Sequence, residues 1–322
     1  MPVVDMPLEQ LKKYKGTSPC PEDLDIFWDA SLSEMYSVEP NIKMIPSDFH
    51  VPCADCFDLY YTGVKNARIH AKVLIPKQCS KEMPAVLMFH GYTGNAGNWC
   101  EKLSYVSSGF VVAAMDCRGQ AGKSEDTGGI MGTTMSGHII RGIDDAPENM
   151  LMRNIFLDTA QLAKIVMNLP MVDKSSVGVM GGSQGGGLSL ACASLVPEIR
   201  KIATDYPFLC DYRRVWQMDL TFAAYSELRL YFRDFDPLHE RENEIFKKLG
   251  YIDVQNLVSR IRGDVIMAVG LMDNVCPPST QFAAYNKIIA PKEVFVYPDF
   301  GHEFIPPHAD KVYQFMLGLK NN

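Results

Sequence analysis

One serine of this chain lies in a pattern that could make it a nucleophile. Ser183 is the centre of Gly181-x-Ser183-x-Gly185, between the apolar run 177–180 and the apolar stretch 188–195. A serine on a sharp turn from strand to helix has a strained backbone, and its neighbours two residues away must lack a Cβ atom. Its hydroxyl is then exposed beside a helix N-terminus, whose free N–H groups suit a developing oxyanion. The pattern predicts a nucleophile elbow, although G-x-S-x-G also occurs in ordinary glycine-rich loops.

A nucleophilic serine needs a base, and three histidines follow Ser183. In proteins of the α/β-hydrolase fold the chain order is serine, acid, histidine. His302 lies after the last predicted strand, from where an imidazole can reach back over the sheet. His239 lies in a charged segment and His308 at the start of the terminal helix, so we expect both to be solvated or capping residues. His302 is therefore the predicted base.

Asp273 is the predicted acid that orients this base. It follows a predicted strand at its C-terminal end, where open α/β sheets place functional groups. Its alternative role is to cap the helix that begins near Pro277. Asp299 and Asp264 are competing acids, but Asp299 is only three residues from the predicted base, and Asp264 lies at the beginning of its strand. We therefore favour Asp273.

Two backbone N–H groups are candidates for an oxyanion hole. The segment His90-Gly91-Tyr92-Thr93-Gly94 follows the first predicted buried strand, where α/β-hydrolases place their first oxyanion loop. We expect the N–H groups of Tyr92 and Gln184 to be the donors. A tight glycine turn without a ligand is the alternative for this segment.

Apolar runs separated by helical patterns predict an α/β protein with the α/β-hydrolase fold, in which helices cover both faces of a mostly parallel sheet. Residues 57–61 and 67–75 alternate between apolar and polar, which predicts an antiparallel hairpin at the sheet edge. Predicted helices cover 154–168, 188–195, 277–288 and 309–319. The predicted buried strands are 85–89, 109–115, 176–180, 201–205, 264–270 and 293–297.

Two segments lie outside the alternation of predicted strands and helices. Residues 1–40 form a predicted N-terminal arm, with Phe27 and Trp28 on a helix over 24–36 that packs on the core or on another subunit. Residues 211–260 form a predicted helical insertion, placed where a lid would cover the site. Because no linker or repeat stands out, residues 1–322 are predicted to be a single domain.

Composition narrows the possible partners and cofactors. The 322 residues are 47% hydrophobic with a net charge of -7, so we expect no nucleic-acid or membrane partner. The beginning of the chain lacks an apolar signal segment, and nine cysteines favour free thiols in the cytoplasm. Cys53-x-x-Cys56 has no second pair, which argues against zinc. A phosphate-loop pattern at 119–124 fails because position 117 is cysteine, so no nucleotide, metal or other cofactor is predicted.

Several motifs together resemble one esterase family, the acetyl xylan esterase/cephalosporin C deacetylase family, which is carbohydrate esterase family seven. The resemblance covers nearly the whole chain. Its motifs are Arg118-Gly119-Gln120, Gly181-x-Ser183-Gln184-Gly185, His302-Glu303, Met272-Asp273-x-x-Cys276-Pro277-Pro278-Ser279, His90-Gly91-Tyr92 and Phe27-Trp28.

This resemblance implies an activity and an assembly. The expected enzyme is a cytoplasmic serine carboxylesterase that removes acetyl groups from small acetylated sugars (xylo-oligosaccharides) and from cephalosporin C. The reaction would pass through an acetyl-enzyme on Ser183, without a cofactor. The expected homo-oligomer is a hexamer, a trimer of dimers, with its active sites facing an inner cavity. Two alternatives are a serine peptidase of the oligopeptidase type, which usually carries a large extra domain, and a non-catalytic binding protein, which would normally lack a triad member.

Overall fold

A nine-stranded sheet forms the centre of the computed structural model, which describes residues 4–78, 82–130, 134–220 and 223–321. Within these residues the strand order is β1-β2-β3-β5-β4-β6-β7-β8-β9. The strands are β1 (Lys43–Pro46), β2 (Ala54–Thr62), β3 (Arg68–Pro76), β4 (Met83–Phe89), β5 (Val111–Met115), β6 (Val172–Gly182), β7 (Lys201–Asp205), β8 (Asp264–Gly270) and β9 (Lys292–Tyr297).

The direction of the strands follows their burial. The six strands from β5 to β9 in this order run parallel, and the central β5 is buried at every position. Strand β5 lies between two helical layers and is apolar throughout. Strand β9 was predicted to be buried, but none of its residues is, because it is the last strand of the sheet. The predicted hairpin is confirmed as β2 paired antiparallel with β3, but it is not the edge, because β1 pairs with the outer side of β2.

Helices cover both faces of the sheet, as predicted. The main packing partners are α4 and α5 on one face, and α3 and α10 on the other. The helices of the described residues are α1 (Leu8–Leu11), α2 (Leu24–Ser37), α3 (Leu103–Ser107), α4 (Leu151–Met167), α5 (Gln184–Leu195), α6 (Tyr212–Gln217), α7 (Ser226–Phe235), α8 (Glu242–Leu249), α9 (Pro278–Lys287) and α10 (Pro306–Leu317).

The N-terminal arm packs on the core of its own chain. Trp28 of α2 is fully buried and stacks on Phe156 of α4, with ring centroids 5.8 Å apart. Its indole N–H donates to the carbonyl oxygen of Tyr251 at 3.0 Å. The arm is also held through Asp211, whose carboxylate accepts hydrogen bonds from Tyr14 Oη at 2.7 Å and from the N–H of Ser18 at 2.8 Å.

The segment 211–260 is helical in its described part, residues 211–220 and 223–260, which contains α6, α7 and α8 and no strand. Its helices meet around an aromatic cluster in which Trp216 lies 4.7 Å from Phe232, ring centroid to centroid. One face of α7 reaches the loop after β4, at the C-terminal end of the parallel strands. This segment thus contacts the loop after β4, and its role as a lid stays a prediction.

The described residues contain free cysteines, but neither a cluster of metal ligands nor a helix suited to cross a membrane. The eight cysteines of the described residues are free thiols, including Cys53 and Cys56. No group of His, Cys, Asp and Glu side chains in the described ranges is arranged to hold a metal ion. None of the helices described above combines the length and the apolar composition needed to cross a membrane.

Candidate active site

Ser183 lies on the turn between β6 and α5, with φ 55° and ψ -123°. A non-glycine residue rarely adopts this conformation, so the surrounding structure must hold it in place. The flanking glycines allow the close approach: a Cβ on Gly185 would lie 2.0 Å from the carbonyl oxygen of Phe89. A Cβ on Gly181 would lie 2.5 Å from the carbonyl carbon of Gly185. The local geometry is that of a nucleophile elbow.

His302 lies in the loop between β9 and α10 and faces the elbow. Its Nε2 is 2.9 Å from Ser183 Oγ, and its Nδ1 is 2.9 Å from Asp273 Oδ2. The ring packs edge-on against Tyr206, with centroids 5.0 Å apart. The His302 side chain is 19% exposed, so the imidazole has contact with solvent.

Asp273 follows β8 and is fully buried. Its Oδ1 accepts hydrogen bonds from the N–H groups of Val275 at 2.9 Å and Cys276 at 2.8 Å. Gln281 Nε2 donates to its Oδ2 at 3.2 Å. These donors fix the carboxylate plane, so that one oxygen faces the imidazole of His302. The aspartate therefore orders its own turn and contacts the histidine at the same time.

Neither competing acid is hydrogen-bonded to His302 within the described residues, since Asp273 is the partner of its Nδ1. Asp299 is exposed, and no hydrogen bond of its side chain occurs among the described residues. Asp264 lies at the other end of β8, where its carboxylate is 3.7 Å from Lys201 Nζ.

The expectation that His308 is solvated or a cap is wrong. Its side chain is fully buried, with Nδ1 3.1 Å from Tyr297 Oη and Nε2 3.3 Å from Asp205 Oδ1. The first turn of α10 packs back over the ends of β7 and β9, which the local sequence does not reveal. His239 matches its expectation, since its side chain is 44% exposed beside Glu242.

The loop after β4 holds one peptide plane in a defined orientation. The carbonyl oxygen of Gly91 accepts hydrogen bonds from His90 Nδ1 at 2.7 Å and from the N–H of Gly94 at 3.0 Å. In a trans peptide the following N–H, that of Tyr92, points the opposite way. No hydrogen bond of this N–H occurs among the described residues. It is thus available to a ligand.

His90 was not predicted as a site residue. Its Nε2 accepts a hydrogen bond from the N–H of Cys117 at 3.0 Å, so the proton must lie on Nδ1. Burial lowers the pKa of His90, which favours this neutral form. The imidazole therefore connects the loop after β4 to the loop after β5. The sequence signal for this role was the position of His90 directly before Gly91 in the predicted oxyanion loop.

Gln184 begins α5, so its N–H is one of the helix N-terminal donors that have no intrahelical partner. Its buried side-chain amide pairs with that of Gln120 through two hydrogen bonds, of 2.9 and 3.0 Å. Nearby, Arg118 makes a buried two-pronged ion pair with Asp158, at 2.7 and 2.5 Å. These contacts give the Arg118-Gly119-Gln120 motif a structural role beneath the elbow.

Together these groups form a hydroxyl–imidazole–carboxylate relay beside two N–H donors. Such a relay can transfer a proton from the serine to the histidine while the donors stabilise an oxyanion. The strand order and the elbow define an α/β-hydrolase.

Comparisons with known proteins narrow this class. The sequence profile of the family described as acetyl xylan esterase (AXE1) matches residues 1–319. The crystal structure of acetyl xylan esterase 1 from Thermoanaerobacterium sp. JW/SL YS485 is 61% identical, covers 98% of this chain and 99% of that one, and has a TM-score of 0.95. Acetyl xylan esterase from Paenibacillus sp. R4 is 34% identical, covers 97% and 99%, and has a TM-score of 0.91.

A further relative is acetyl esterase Axe7A from Xylanibacter ruminicola, which is 30% identical over 97% of this chain and 69% of that protein. The chain therefore belongs to the acetyl xylan esterase family, as its motifs suggested, and it is a carboxylic ester hydrolase.

Proposed function

We propose that this enzyme is a serine esterase that removes acetyl groups from small acetylated sugars, chiefly xylo-oligosaccharides, and from cephalosporin C. The reaction passes through an acetyl-enzyme on Ser183. The observation that carries the proposal is the pair of 2.9 Å contacts that join Ser183, His302 and Asp273. The names of the relatives support the acetyl ester as substrate.

The first half of the reaction acylates the enzyme. Ser183 Oγ attacks the acetyl carbonyl carbon while its proton passes to His302 Nε2. Asp273 accepts the Nδ1–H hydrogen bond and stabilises the imidazolium. When the tetrahedral intermediate collapses, the bond from carbon to the alcohol oxygen breaks, and His302 returns the proton to the leaving alcohol.

The second half releases acetate. A water molecule gives a proton to His302 Nε2 and attacks the acetyl carbon, after which the bond to Ser183 Oγ breaks and the serine regains a proton. In both halves the oxyanion accepts hydrogen bonds from the N–H groups of Tyr92 and Gln184. Every step is a proton or acyl transfer, so the proposed mechanism uses no cofactor.

We also propose a single domain over residues 1–322, a hexameric assembly as a trimer of dimers, and a cytoplasmic location. The arm, the insertion and the sheet share one apolar core, which supports the single domain. Large apolar side chains are exposed at Ile26, Leu238 and Phe304, between 66% and 79%, and association would cover such surfaces. Light scattering tests the assembly, since the mass of one 36.0 kDa chain would contradict a hexamer.

A substrate panel tests the proposed activity. Acetate release is measured from acetylated xylo-oligosaccharides, acetylated polymeric xylan, cephalosporin C and p-nitrophenyl acetate, with a peptide amide as control. We expect turnover of the acetyl esters, faster release from oligosaccharides than from polymer, and no cleavage of the amide. Cleavage of the amide without acetate release would contradict the proposal.

A further inference from the structure

One carboxylate of the insertion is buried against the predicted oxyanion loop. Glu227 of α7 is only 2% exposed. Its Oε1 accepts a hydrogen bond from Tyr92 Oη, and its Oε2 accepts hydrogen bonds from the N–H groups of Ile139 at 2.7 Å and Ile140 at 3.1 Å. Burial raises the pKa of this carboxyl, while the hydrogen bonds from its donors lower it. A single side chain thus joins three separate segments of the chain.

These contacts fix Tyr92 at both ends. The peptide bond that carries its N–H is held through the Gly91 carbonyl oxygen. The phenol is held by Glu227 and also accepts a hydrogen bond from the N–H of His138 at 3.2 Å. Between these ends the ring packs against Phe208, with centroids 5.6 Å apart. The ring is bonded through Cβ to the Cα atom beside this N–H, so a fixed side chain limits how far the backbone can move.

We propose that Glu227 is a positioning residue for the oxyanion hole: by holding the Tyr92 phenol, it aims the Tyr92 N–H at the carbonyl oxygen above Ser183. The inference rests on the proposed function and deepens it, because it gives the insertion a part in forming the site. The insertion then sets the geometry of catalysis as well as covering the substrate.

The chemistry of the site favours positioning over stability alone. A buried carboxylate must lose its hydration, and a well-packed apolar side chain often stabilises a core as well or better. A carboxylate does what an apolar side chain cannot, because it accepts directed bonds from a phenol and two backbone N–H groups at once. Preorganised donors matter most where charge develops in the transition state.

Replacing Glu227 with glutamine separates these roles. The amide oxygen of Glu227→Gln can still accept from Ile139 and Ile140, so the backbone contacts are retained. The amide N–H₂ then faces Tyr92 Oη and can donate to it, so the bond is reversed and the Tyr92 hydroxyl proton loses its buried acceptor. Tyr92→Phe removes the same bond from the other side and keeps the backbone N–H. A matched control is Tyr231→Phe, which removes another phenol–carboxylate bond of α7, the 2.6 Å contact with Asp144.

The measurement is kcat with p-nitrophenyl acetate, divided by the concentration of active sites titrated with an organophosphate. Losing an oxyanion donor typically costs 10²–10³ in kcat, whereas here the donor remains but is less well aimed. We therefore expect Tyr92→Phe to lower kcat about tenfold and Glu227→Gln, in which a reversed bond can still hold the phenol, to lower it by no more than that, with KM changed less than about twofold. The double variant should be no worse than Tyr92→Phe alone, and Tyr231→Phe should be unaffected.

Two results would overturn the inference: an unchanged kcat per titrated site in Tyr92→Phe, which removes the bond outright, or losses that multiply in the double variant. If Glu227→Gln does not fold, an unchanged kcat in Tyr92→Phe overturns it alone. Two other results would contradict the proposed function itself: a wild-type enzyme without acetyl esterase activity, or full activity in Ser183→Ala. The inference falls with the proposed function in that case.

Discussion

Replacing Asp273 with asparagine should leave the shape of the site intact and reverse the proton on His302. The N–H groups of Val275 and Cys276, at 2.9 and 2.8 Å, require an acceptor at the Oδ1 position, so the asparagine carbonyl oxygen must lie there. Its N–H₂ then takes the Oδ2 position, where it loses the bond from Gln281 Nε2 and donates to His302 Nδ1, 2.9 Å away. The imidazole proton moves to Nε2, which can no longer accept the proton of Ser183.

The expected loss is about 10⁴-fold in kcat, or about 5 kcal/mol in the activation barrier. The assay is hydrolysis of p-nitrophenyl acetate by purified variants, with thermal unfolding as a check that the fold is retained. Asp299→Asn is the matched control, because Asp299 is exposed in the same site region, and its kcat should stay within about twofold of wild type. An Asp273→Asn variant that keeps more than about a tenth of the wild-type kcat would refute the tautomer argument.

Three further predictions concern the elbow, a buried acid and the acyl pocket. In Gly185→Ala the new Cβ would lie 2.0 Å from the carbonyl oxygen of Phe89. We therefore expect a lower Tm and at least a hundredfold loss of kcat, on the order of the loss of one oxyanion donor. A wild-type kcat in this variant would contradict the close approach. Burial, and to a smaller extent the nearby Asp211 charge, raises the pKa of Asp253 from 3.8 to about 6 in the folded protein. The protonated carboxyl therefore stabilises the fold in full below the unfolded pKa, and this stabilisation is lost as pH rises through the folded pKa. The unfolding free energy of Asp253→Asn relative to wild type should therefore increase by about 2 kcal/mol between about pH 4 and pH 7, and a pH-independent difference in denaturant titrations would exclude this. The rings of Tyr92 and Phe208 pack against each other, and we expect them to limit the size of the acyl pocket. Acetyl esters should then exceed octanoyl esters by at least about tenfold in kcat/KM, and equal values would contradict a small acyl pocket.

The elbow could be predicted because its determinants are local. The glycines, the strand before them and the helix after them are consecutive in the sequence. The helix begins at Gln184, four residues before the predicted start at 188. Glycine is a poor helix former, which hides this turn from propensity arguments. Tertiary packing requires it, since a Cβ on Gly187 would lie 2.3 Å from the carbonyl oxygen of Phe208.

The supporting contacts could not be predicted, because distant segments supply them. Glu227 is one of several acids in a charged segment, and only the folded chain shows that it is buried beside Tyr92. His308 resembles a helix-capping residue until α10 is placed over β7. The order of the strands along the chain agrees with the prediction, because apolar runs mark them. The predicted burial of β9 is wrong, since only the folded sheet shows that this strand is its last. The sequence thus indicates the proposed reacting groups better than the contacts that orient them.

The acetyl-enzyme is the most direct test of the proposed mechanism. The enzyme is mixed with excess p-nitrophenyl acetate, quenched in acid during steady-state turnover, digested and analysed by mass spectrometry. We expect one acetyl adduct on Ser183, reduced when hydroxylamine is added before the quench, and none in Ser183→Ala. Hydrolysis at the wild-type rate by Ser183→Ala, or an adduct on another residue that forms and decays at the turnover rate, would contradict the account.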